Sequence, residues 1–442
     1  MFRVFFLNIY LNFDIWINTS FNVQKCVLQK IAATSLKNPQ YFRKMITVQR
    51  LIDILRQYYW FQQEEDSMGK EVISSNVPKE NSSKRPSQFE IIQLRESLLQ
   101  IIRVIAPNGL TLSETNSVIT CLLLAPDNEN EGIDLLQMML SYLNLLSKEK
   151  EQNVCLHLIA LGGLNPFINL LKRKSPSLRV WCLKLMGKLL ERMETNEKAK
   201  QLHSTKFTLI KQYLQYHSLS KYTYFSLLEI LLENVDIIKA DDPVGGNTNQ
   251  AFKNHSVLPV IFELLGISSN PIIIERALKN FVDLLSISSS NRNLFISQRM
   301  WQSWILGILS NSKQNSVVYL YCLEIITLLL HHCLNKPGGY KILSQTQTLF
   351  HYFGENGFID STKLSRKIHS KLLRSVLADN SLISQCKNIA KENHVFDNFV
   401  YWISLVEESL FTFQMDTISD HKLLPIFRSP EGLWEGYYLK SL

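Results

Sequence analysis

The 442-residue sequence lacks the short motifs that mark common catalytic and phosphate-binding sites. No G-x-S-x-G is present, so the nucleophile turn of α/β-hydrolases is absent. Gly245-Gly246 and Gly338-Gly339 lack the lysine and flanking pattern of a phosphate-binding loop, and we interpret both as turns. Glu64-Glu65-Asp66 lies in a polar stretch and is interpreted as a solvated loop rather than an acid–base pair. The sequence therefore predicts a protein that is not an enzyme.

Cysteine chemistry is also sparse. The seven cysteines are spread from Cys26 to Cys386 without a C-x-x-C pair, which argues against a disulfide framework and favours a reducing compartment. His331-His332-Cys333 could suggest a metal, but adjacent side chains on a helix point in different directions and no second ligand pair lies one turn away. We predict no metal and no cofactor.

Charge is scattered along the chain. Lys and Arg number 47 against 39 Asp and Glu, a formal net charge of +8, and no dense basic run is present. An ordinary solvated surface is the preferred interpretation, so no nucleic acid is expected as a partner. A helical-repeat nucleic-acid-binding protein or nuclear-transport adaptor remains the alternative function.

The apolar start, MFRVFFLNIYLNFDIW, could be mistaken for a signal peptide. Asp14 follows soon after the apolar run, no small-residue cleavage site is evident, and the run is shorter than the roughly 20 residues that span a bilayer. We interpret it as a core helix and expect a cytoplasmic chain without a transmembrane segment.

An apolar pattern recurs along the chain. Within each copy the apolar residues follow i, i+3, i+4, i+7 and i+11, which places them on one stripe of an α-helix. The four stripes are Leu178, Trp181, Cys182, Leu185, Leu189; Tyr224, Leu227, Leu228, Leu231, Val235; Ile274, Ala277, Leu278, Phe281, Leu285; and Val318, Tyr321, Cys322, Ile325, Leu329. Their starts are spaced by 46, 50 and 44 residues. HEAT and armadillo repeats have periods of about 40–47 residues, so we predict an all-α, armadillo/HEAT-like α-solenoid.

Two helix starts share one capping arrangement. Ser175-Pro176 precedes the Leu178 stripe and Asn270-Pro271 precedes the Ile274 stripe. Each supplies a polar N-cap followed by proline at the first helical position. The same arrangement at one place in two repeats supports the solenoid prediction.

The predicted organisation has five stretches. They are an N-terminal helical repeat over 1–61, expected to be cut at its start; a flexible, disordered loop over 62–88; an armadillo-like core over 89–335; C-terminal helical repeats over 336–423; and an unassigned tail over 424–442. The loop has almost no large apolar residues and therefore cannot offset its ordering entropy. Further helices are predicted at about 88–105, 112–124, 132–147, 361–377 and 394–413.

Several short matches near the N-terminus arrive in the order of a known family. They are FDIW at Phe13–Trp16, FNVQ at Phe21–Gln24, Leu28-Gln29, YFRK at Tyr41–Lys44, and VQRLIDILRQYYW at Val48–Trp60. With them the chain resembles the armadillo-like region of the BEACH-domain proteins, closest to the neurobeachin-like branch. The resemblance implies a very large cytosolic scaffold family that acts in vesicle and membrane trafficking, peripheral to endosomal, lysosomal or Golgi membranes.

Function is therefore expected to lie in a surface. Other proteins bound through the solenoid are the expected partners, and the family resemblance also allows peripheral membrane association. Tyr58, Tyr59 and Trp60 are the candidate binding residues, because Trp and Tyr are enriched in binding hot spots. Core packing is the default interpretation of the same residues, because rings bury much area, and the sequence alone does not separate the two interpretations. The same two interpretations hold for Trp301, Trp304, Trp402 and Trp434.

Overall fold

The structure is a computed structural model, and it describes most of the chain. The described residues are 4, 6–17, 19–59, 62–65, 71–74, 86–106, 109–125, 130–146, 148–193, 204–233, 250–382 and 394–417. They form two compact units, Met1–Ala240 and Asp241–Leu442, and each is described by itself. The division falls inside the stretch predicted as one core over 89–335, and the five predicted stretches stay a prediction.

The described residues of unit 1 form mainly helices, together with one small hairpin. A π-helix covers Phe6–Tyr10 and is followed by α-helices. These are α1 (Phe13–Trp16), α2 (Phe21–Lys37), α3 (Pro39–Met45), α4 (Val48–Tyr58), α5 (Gln88–Ile105), α6 (Leu112–Leu123), α7 (Asn130–Leu145), α8 (Lys148–Ala160), α9 (Asn165–Leu170), α10 (Pro176–Arg192), α11 (Ser204–Leu214) and α12 (Lys221–Leu232).

The helices of unit 1 stack in two layers. In one layer α2, α5, α7, α10 and α12 pack side by side in that order. In the other, α4 packs on α6, α6 on α8 and α9, and α9 on α11. Contacts such as α4 on α5 and α6 on α7 join the layers. Stacked helix pairs that contact mainly their neighbours are the architecture of a solenoid.

Unit 2 repeats this arrangement. Its elements are a 3₁₀ turn (His255–Val257), α13 (Leu258–Ile267), α14 (Pro271–Ile287), α15 (Ser289–Ile296), α16 (Trp301–Ser310), α17 (Val317–Leu334), α18 (Gly339–Glu355), α19 (Ser361–Ala378) and α20 (His394–Thr417). Helices α13, α16 and α18 form one layer, α14, α17 and α19 form the other, and α20 packs against α17, α18 and α19.

The four predicted stripes lie in the core. Sixteen of their positions are buried, and Trp181, Ile274 and Tyr321 are half-buried. Val235, the last position of the second stripe, lies outside the described residues. Burial of the stripes explains the stacking, because an apolar side chain removed from water contributes about 1.5–3 kcal/mol. The all-α solenoid prediction is confirmed.

Both predicted caps are confirmed. The Ser175 side chain accepts a hydrogen bond from the backbone N–H of Leu178, and Pro176 is the first residue of α10. The Asn270 side chain accepts from the N–H groups of Ile272 and Ile273 at the start of α14. These bonds satisfy backbone donors that have no partner inside the helix.

The stretch predicted as a loop without regular structure contains a hairpin. Strands β1 (Gln62–Glu65) and β2 (Glu71–Ser74) pair antiparallel, with Gln63 opposite Ile73 and Glu64 opposite Val72. The β-branched pair Val72-Ile73 favours an extended backbone, a local signal that the overall polarity of the stretch conceals. These eight residues thus form a hairpin inside the stretch predicted as a flexible loop, and 66–70 and 75–85 lie outside the described residues.

A buried asparagine fastens the C-terminal end of unit 2. The Asn398 amide, 1% exposed, accepts from the Tyr340 N–H at 2.8 Å and donates to the carbonyls of Leu334 at 3.1 Å and Lys336 at 2.7 Å. It thus joins α20 to the turn between α17 and α18.

Only glycine fits at position 339, where α18 begins. A Cβ there would lie 1.9 Å from the Cys333 carbonyl oxygen, far inside van der Waals contact. The preceding Gly338 has φ +71°, in the left-handed region that glycine tolerates. The predicted turn at Gly338-Gly339 is therefore present.

Helix α17 is long and apolar enough to cross a membrane, with mean hydropathy 1.8 over Val317–Leu334. However, 67% of that stretch is buried inside the protein, where it packs against α14, α16, α18 and α19. This is the environment of a central core helix, as the recurring stripe predicts.

Candidate protein-interaction surface

The structure separates the three residues predicted as a binding cluster. Tyr59 is 2% exposed, and its hydroxyl donates to Gln24 Oε1 at 3.0 Å, while burial raises its pKa. Tyr58 is half-buried and donates its hydroxyl to the Asp14 carboxylate; burial and this bond raise its pKa to about 12. Trp60 lies outside the described residues. The position of Tyr59 is that of a packed ring, and a binding role for the cluster stays a prediction.

The other candidate tryptophans also differ in how far they are buried. Trp301 and Trp402 are each 1% exposed and belong to the core. Trp304 is half-buried and stacks on Phe262, with ring centroids 5.8 Å apart. Trp434 lies outside the described residues.

His331, His332 and Cys333 have separate neighbours at the end of α17. His332 Nε2 lies 2.7 Å from Asn293 Oδ1, and burial lowers its pKa to about 4. His331 Nε2 lies 3.5 Å from a carboxylate oxygen of Asp379, and Cys333 is buried. Within the described part of the chain, no group of three or more His, Cys, Asp or Glu side chains could hold a metal ion.

Buried thiols show no sign of activation. Cys121, Cys182, Cys322 and Cys333 are fully buried, and burial raises the pKa of each thiol, to about 12 for Cys121 and Cys333. A nucleophilic cysteine needs a lowered pKa, because the thiolate is the reactive form. These cysteines therefore serve as small core residues.

A polar surface does form where α7, α10 and α12 pack side by side. Gly187 lies in the middle of α10, and its lack of a side chain lets α12 approach closely. A Cβ at this position would lie 3.1 Å from Ile230 Cγ1. We call this region the α10 surface and define it as Trp181, Lys184, Gly187, Lys188 and Glu191 of α10 with Glu229 of α12. These residues other than Trp181, together with Leu140 and Glu233, line a depression of about 30 Å³.

That volume excludes a small-molecule substrate. A cavity needs about 10–15 Å³ to hold one water molecule, so this depression holds about two, whereas ligand pockets measure about 300–1,000 Å³. The α10 surface is therefore shallow, a shape that suits contact with another macromolecule rather than enclosure of a ligand.

Opposite charges alternate across the α10 surface. Lys184 Nζ lies 3.8 Å from Glu229 Oε1 and 5.4 Å from the centre of the Trp181 ring. Lys188 Nζ lies 2.9 Å from Glu191 Oε2. The Trp181 ring is half-buried, so one part packs in the core and the rest reaches solvent. Trp is enriched in protein-binding hot spots, and charges beside it can contribute specificity for a partner.

Sequence reasoning missed this surface. It assigned Trp181 to a core stripe and treated Lys184 and Lys188 as scattered charges. The available signal was their spacing, since Lys184, Lys188 and Glu191 lie three and four residues apart and therefore share one helix face. The partner Glu229 comes from another helix and has no such signal.

Comparisons with known proteins agree with this geometry. The family model described as the Neurobeachin/BDCP, DUF4704 alpha solenoid region matches residues 1–352. BEACH domain-containing protein B of Arabidopsis thaliana is 20% identical over 453 aligned residues, which cover 91% of this chain. The chain spans 17% of the length of that curated relative.

Proposed function

Because the chain belongs to the family of the neurobeachin/BDCP alpha solenoid region, we propose that it is a non-catalytic scaffold that binds other proteins. The resemblance seen in the N-terminal motifs is thereby confirmed. The observation that carries the proposal is the α10 surface, where a part-exposed Trp181 lies beside the Lys184–Glu229 and Lys188–Glu191 pairs. Such a surface offers recognition and no reactive group.

The partner should be a protein segment with both charge signs. Lys184 is 17% exposed, and its 3.8 Å separation from Glu229 is longer than a hydrogen bond, so a partner carboxylate can compete for it. Glu191, 30% exposed, in turn can attract a basic residue of the partner. Complementary charges of this kind set specificity and association rate.

We place the scaffold in vesicle and membrane trafficking, in the cytoplasm, with peripheral association to endosomal, lysosomal or Golgi membranes. The family supports this placement, and the name of the relative from Arabidopsis thaliana indicates a BEACH domain in that protein. The α10 surface balances its cations with carboxylates and so offers nothing that favours the nucleic-acid alternative.

The test is affinity capture from cytosolic and membrane fractions with the full chain, compared across three versions. These are wild type, Lys184→Glu, and the control Lys44→Glu, which reverses a cation that is exposed on α3. We expect one set of partners with wild type and control, and at least a tenfold loss with Lys184→Glu, because hot-spot truncations commonly cost 2 kcal/mol or more. Equal capture by all three versions, or recovery of nuclear partners alone, would contradict the proposal.

A further inference from the structure

Helix α19 carries a one-signed stripe of charge that the proposed function does not use. Between Ser361 and Ala378 it contains five cations and no Asp or Glu. The cations occupy i, i+3, i+4, i+8 and i+11, which places them on one side of the helix: Lys363, Arg366, Lys367, Lys371 and Arg374. We call this side the α19 basic face.

Packing turns the α19 basic face outward. The opposite side is fixed in the core by Leu364, Ile368, Leu372 and Val376, each at most 1% exposed. Lys363 and Arg374 are exposed. The orientation of the face therefore follows from burial of the apolar side.

Three carboxylates lie near the α19 basic face. Asp360 caps the helix and accepts from the Lys363 N–H at 3.0 Å, and this bond is the first reason that its pKa is lowered. Glu324 of α17 accepts from Lys371 Nζ at 2.9 Å. Asp379, just beyond the C-terminus, lies 3.5 Å from His331. The exposed cations Lys363 and Arg374 nevertheless present positive charge to solvent.

The cations themselves keep polar or aromatic contacts that hold them at the surface. Lys367 Nζ donates to Asn315 Oδ1 at 3.0 Å and lies 4.9 Å from the centre of the Tyr319 ring. Such contacts order a long side chain without neutralising its charge.

Exposed leucines on the same helix decide between possible anionic partners. Leu373 is 40% exposed and Leu377 is 47% exposed, one helical turn apart and next to Arg374. On the adjacent helix α17, Leu320 is 46% exposed. RNA and acidic peptides offer charge but little apolar volume for these side chains. A membrane surface offers both, since helices that lie in the interface combine cations with leucines.

We propose that the α19 basic face binds anionic phospholipid membranes, with Lys363 and Arg374 on the headgroups and Leu373 and Leu377 in the outer acyl region. This inference rests on the proposed peripheral membrane association and deepens it, because it assigns the membrane contact to a named helix of unit 2, whereas the α10 surface belongs to unit 1.

The test is vesicle co-flotation of the full chain with phosphatidylcholine alone or mixed with phosphatidylserine. Wild type should bind the mixed vesicles, bind neutral vesicles weakly, and lose binding as salt rises. Each Lys or Arg near an anionic surface strengthens binding by about fivefold, so Lys363→Glu with Arg374→Glu should lower binding by about 30-fold or more. The matched control, Lys44→Glu with Arg50→Glu, reverses two exposed cations of unit 1 and should bind as wild type does.

A second variant tests the apolar part. The double variant Leu373→Ala with Leu377→Ala should weaken binding by about tenfold, because it removes apolar groups that the membrane would bury. The salt dependence should persist, because the variant removes no charge. Circular dichroism verifies that each variant stays helical. Equal binding to neutral and anionic vesicles, no binding to either, an unaffected charge-reversal variant, or tighter binding to RNA or to a polyglutamate peptide would overturn the proposal. None of these results bears on capture through the α10 surface.

Discussion

Replacing Asn291 by leucine should lower the free energy of unfolding of unit 2 by about 3 kcal/mol. Asn291 lies on α15 and is 0% exposed. Its Oδ1 accepts from the Phe252 N–H at 2.9 Å, and its Nδ2 donates to the carbonyls of Leu284 at 3.1 Å and Gln250 at 2.9 Å. One amide therefore ties the chain that enters α13 to the end of α14.

The magnitude follows from what leucine leaves behind. The bonds to Phe252 and Leu284 are buried, so each leaves a backbone group without a partner or water, at about 1 kcal/mol or more. The part-buried bond to Gln250 adds about 0.5 kcal/mol. For a unit of this size, about 3 kcal/mol corresponds to roughly 6–12 °C in Tm.

The assay is guanidinium unfolding followed by tryptophan fluorescence, with hydrogen exchange over 250–267 to localise the effect. Asn293→Leu is the matched control on the same helix, since its side chain makes one part-buried bond to His332 and should cost less than about 1 kcal/mol. Asn291→Asp keeps the acceptor for Phe252 but places a carboxylate oxygen against two carbonyls. It should destabilise at neutral pH and recover as acid protonates the carboxyl, whose pKa the site would raise. A leucine variant within 0.5 kcal/mol of wild type, or a control equally destabilised, would refute this reasoning.

Three further predictions concern the core. Leu185→Ala should lower the free energy of unfolding, measured with denaturant, by about 3–4 kcal/mol, because Leu185 is 0% exposed. The control Leu145→Ala, at a 63% exposed site, should lower it by less than about 0.5 kcal/mol, and equal losses would contradict the packing described for Leu185. Gly339→Ala should cost about 2–3 kcal/mol, because its Cβ would meet a backbone carbonyl; a neutral effect in the same assay would exclude this turn geometry. Burial lowers the pKa of His369 from 6.5 to about 4, where its Nδ1 accepts from Trp402 Nε1 at 3.1 Å. The unfolded state therefore binds the proton first, so the contribution of His369 to stability should be full above pH 6.5 and fall by about 3 kcal/mol as pH drops to 4. In a pH series of unfolding curves His369→Gln should remove this part of the slope and leave the part that the buried His332 supplies.

Local patterns predicted much of the fold. The stripe around Leu178 marks a helix and its buried side, and Ser175-Pro176 marks where that helix starts, because both signals lie within a few residues. The helix predicted at about 88–105 is found at Gln88–Ile105 for the same reason. Apolar spacing and capping are short-range properties, so a single sequence contains them.

Long-range partners could not be predicted. Asn398 bonds residues about 60 positions away, and Glu229 meets Lys184 from a separate helix. No local pattern in the sequence distinguishes the buried Asn398 from an asparagine at the surface. The hairpin at β1 and β2 was missed because only Val72-Ile73 favours a strand within a polar stretch. The α10 surface could not be predicted because it forms only when α7, α10 and α12 pack together. Its charged residues come from two helices, and the sequence does not show that they meet.

The most direct test of the scaffold account is site-specific photo-crosslinking of the full chain in a cytosolic extract. A benzophenone amino acid replaces Lys184 in one sample and Lys44 in the other, and captured proteins are identified by mass spectrometry. Position 184 should crosslink to defined partner proteins, and position 44 should crosslink to none of those partners. The same partners from both positions, or crosslinks from position 44 alone, would overturn the proposed scaffold function.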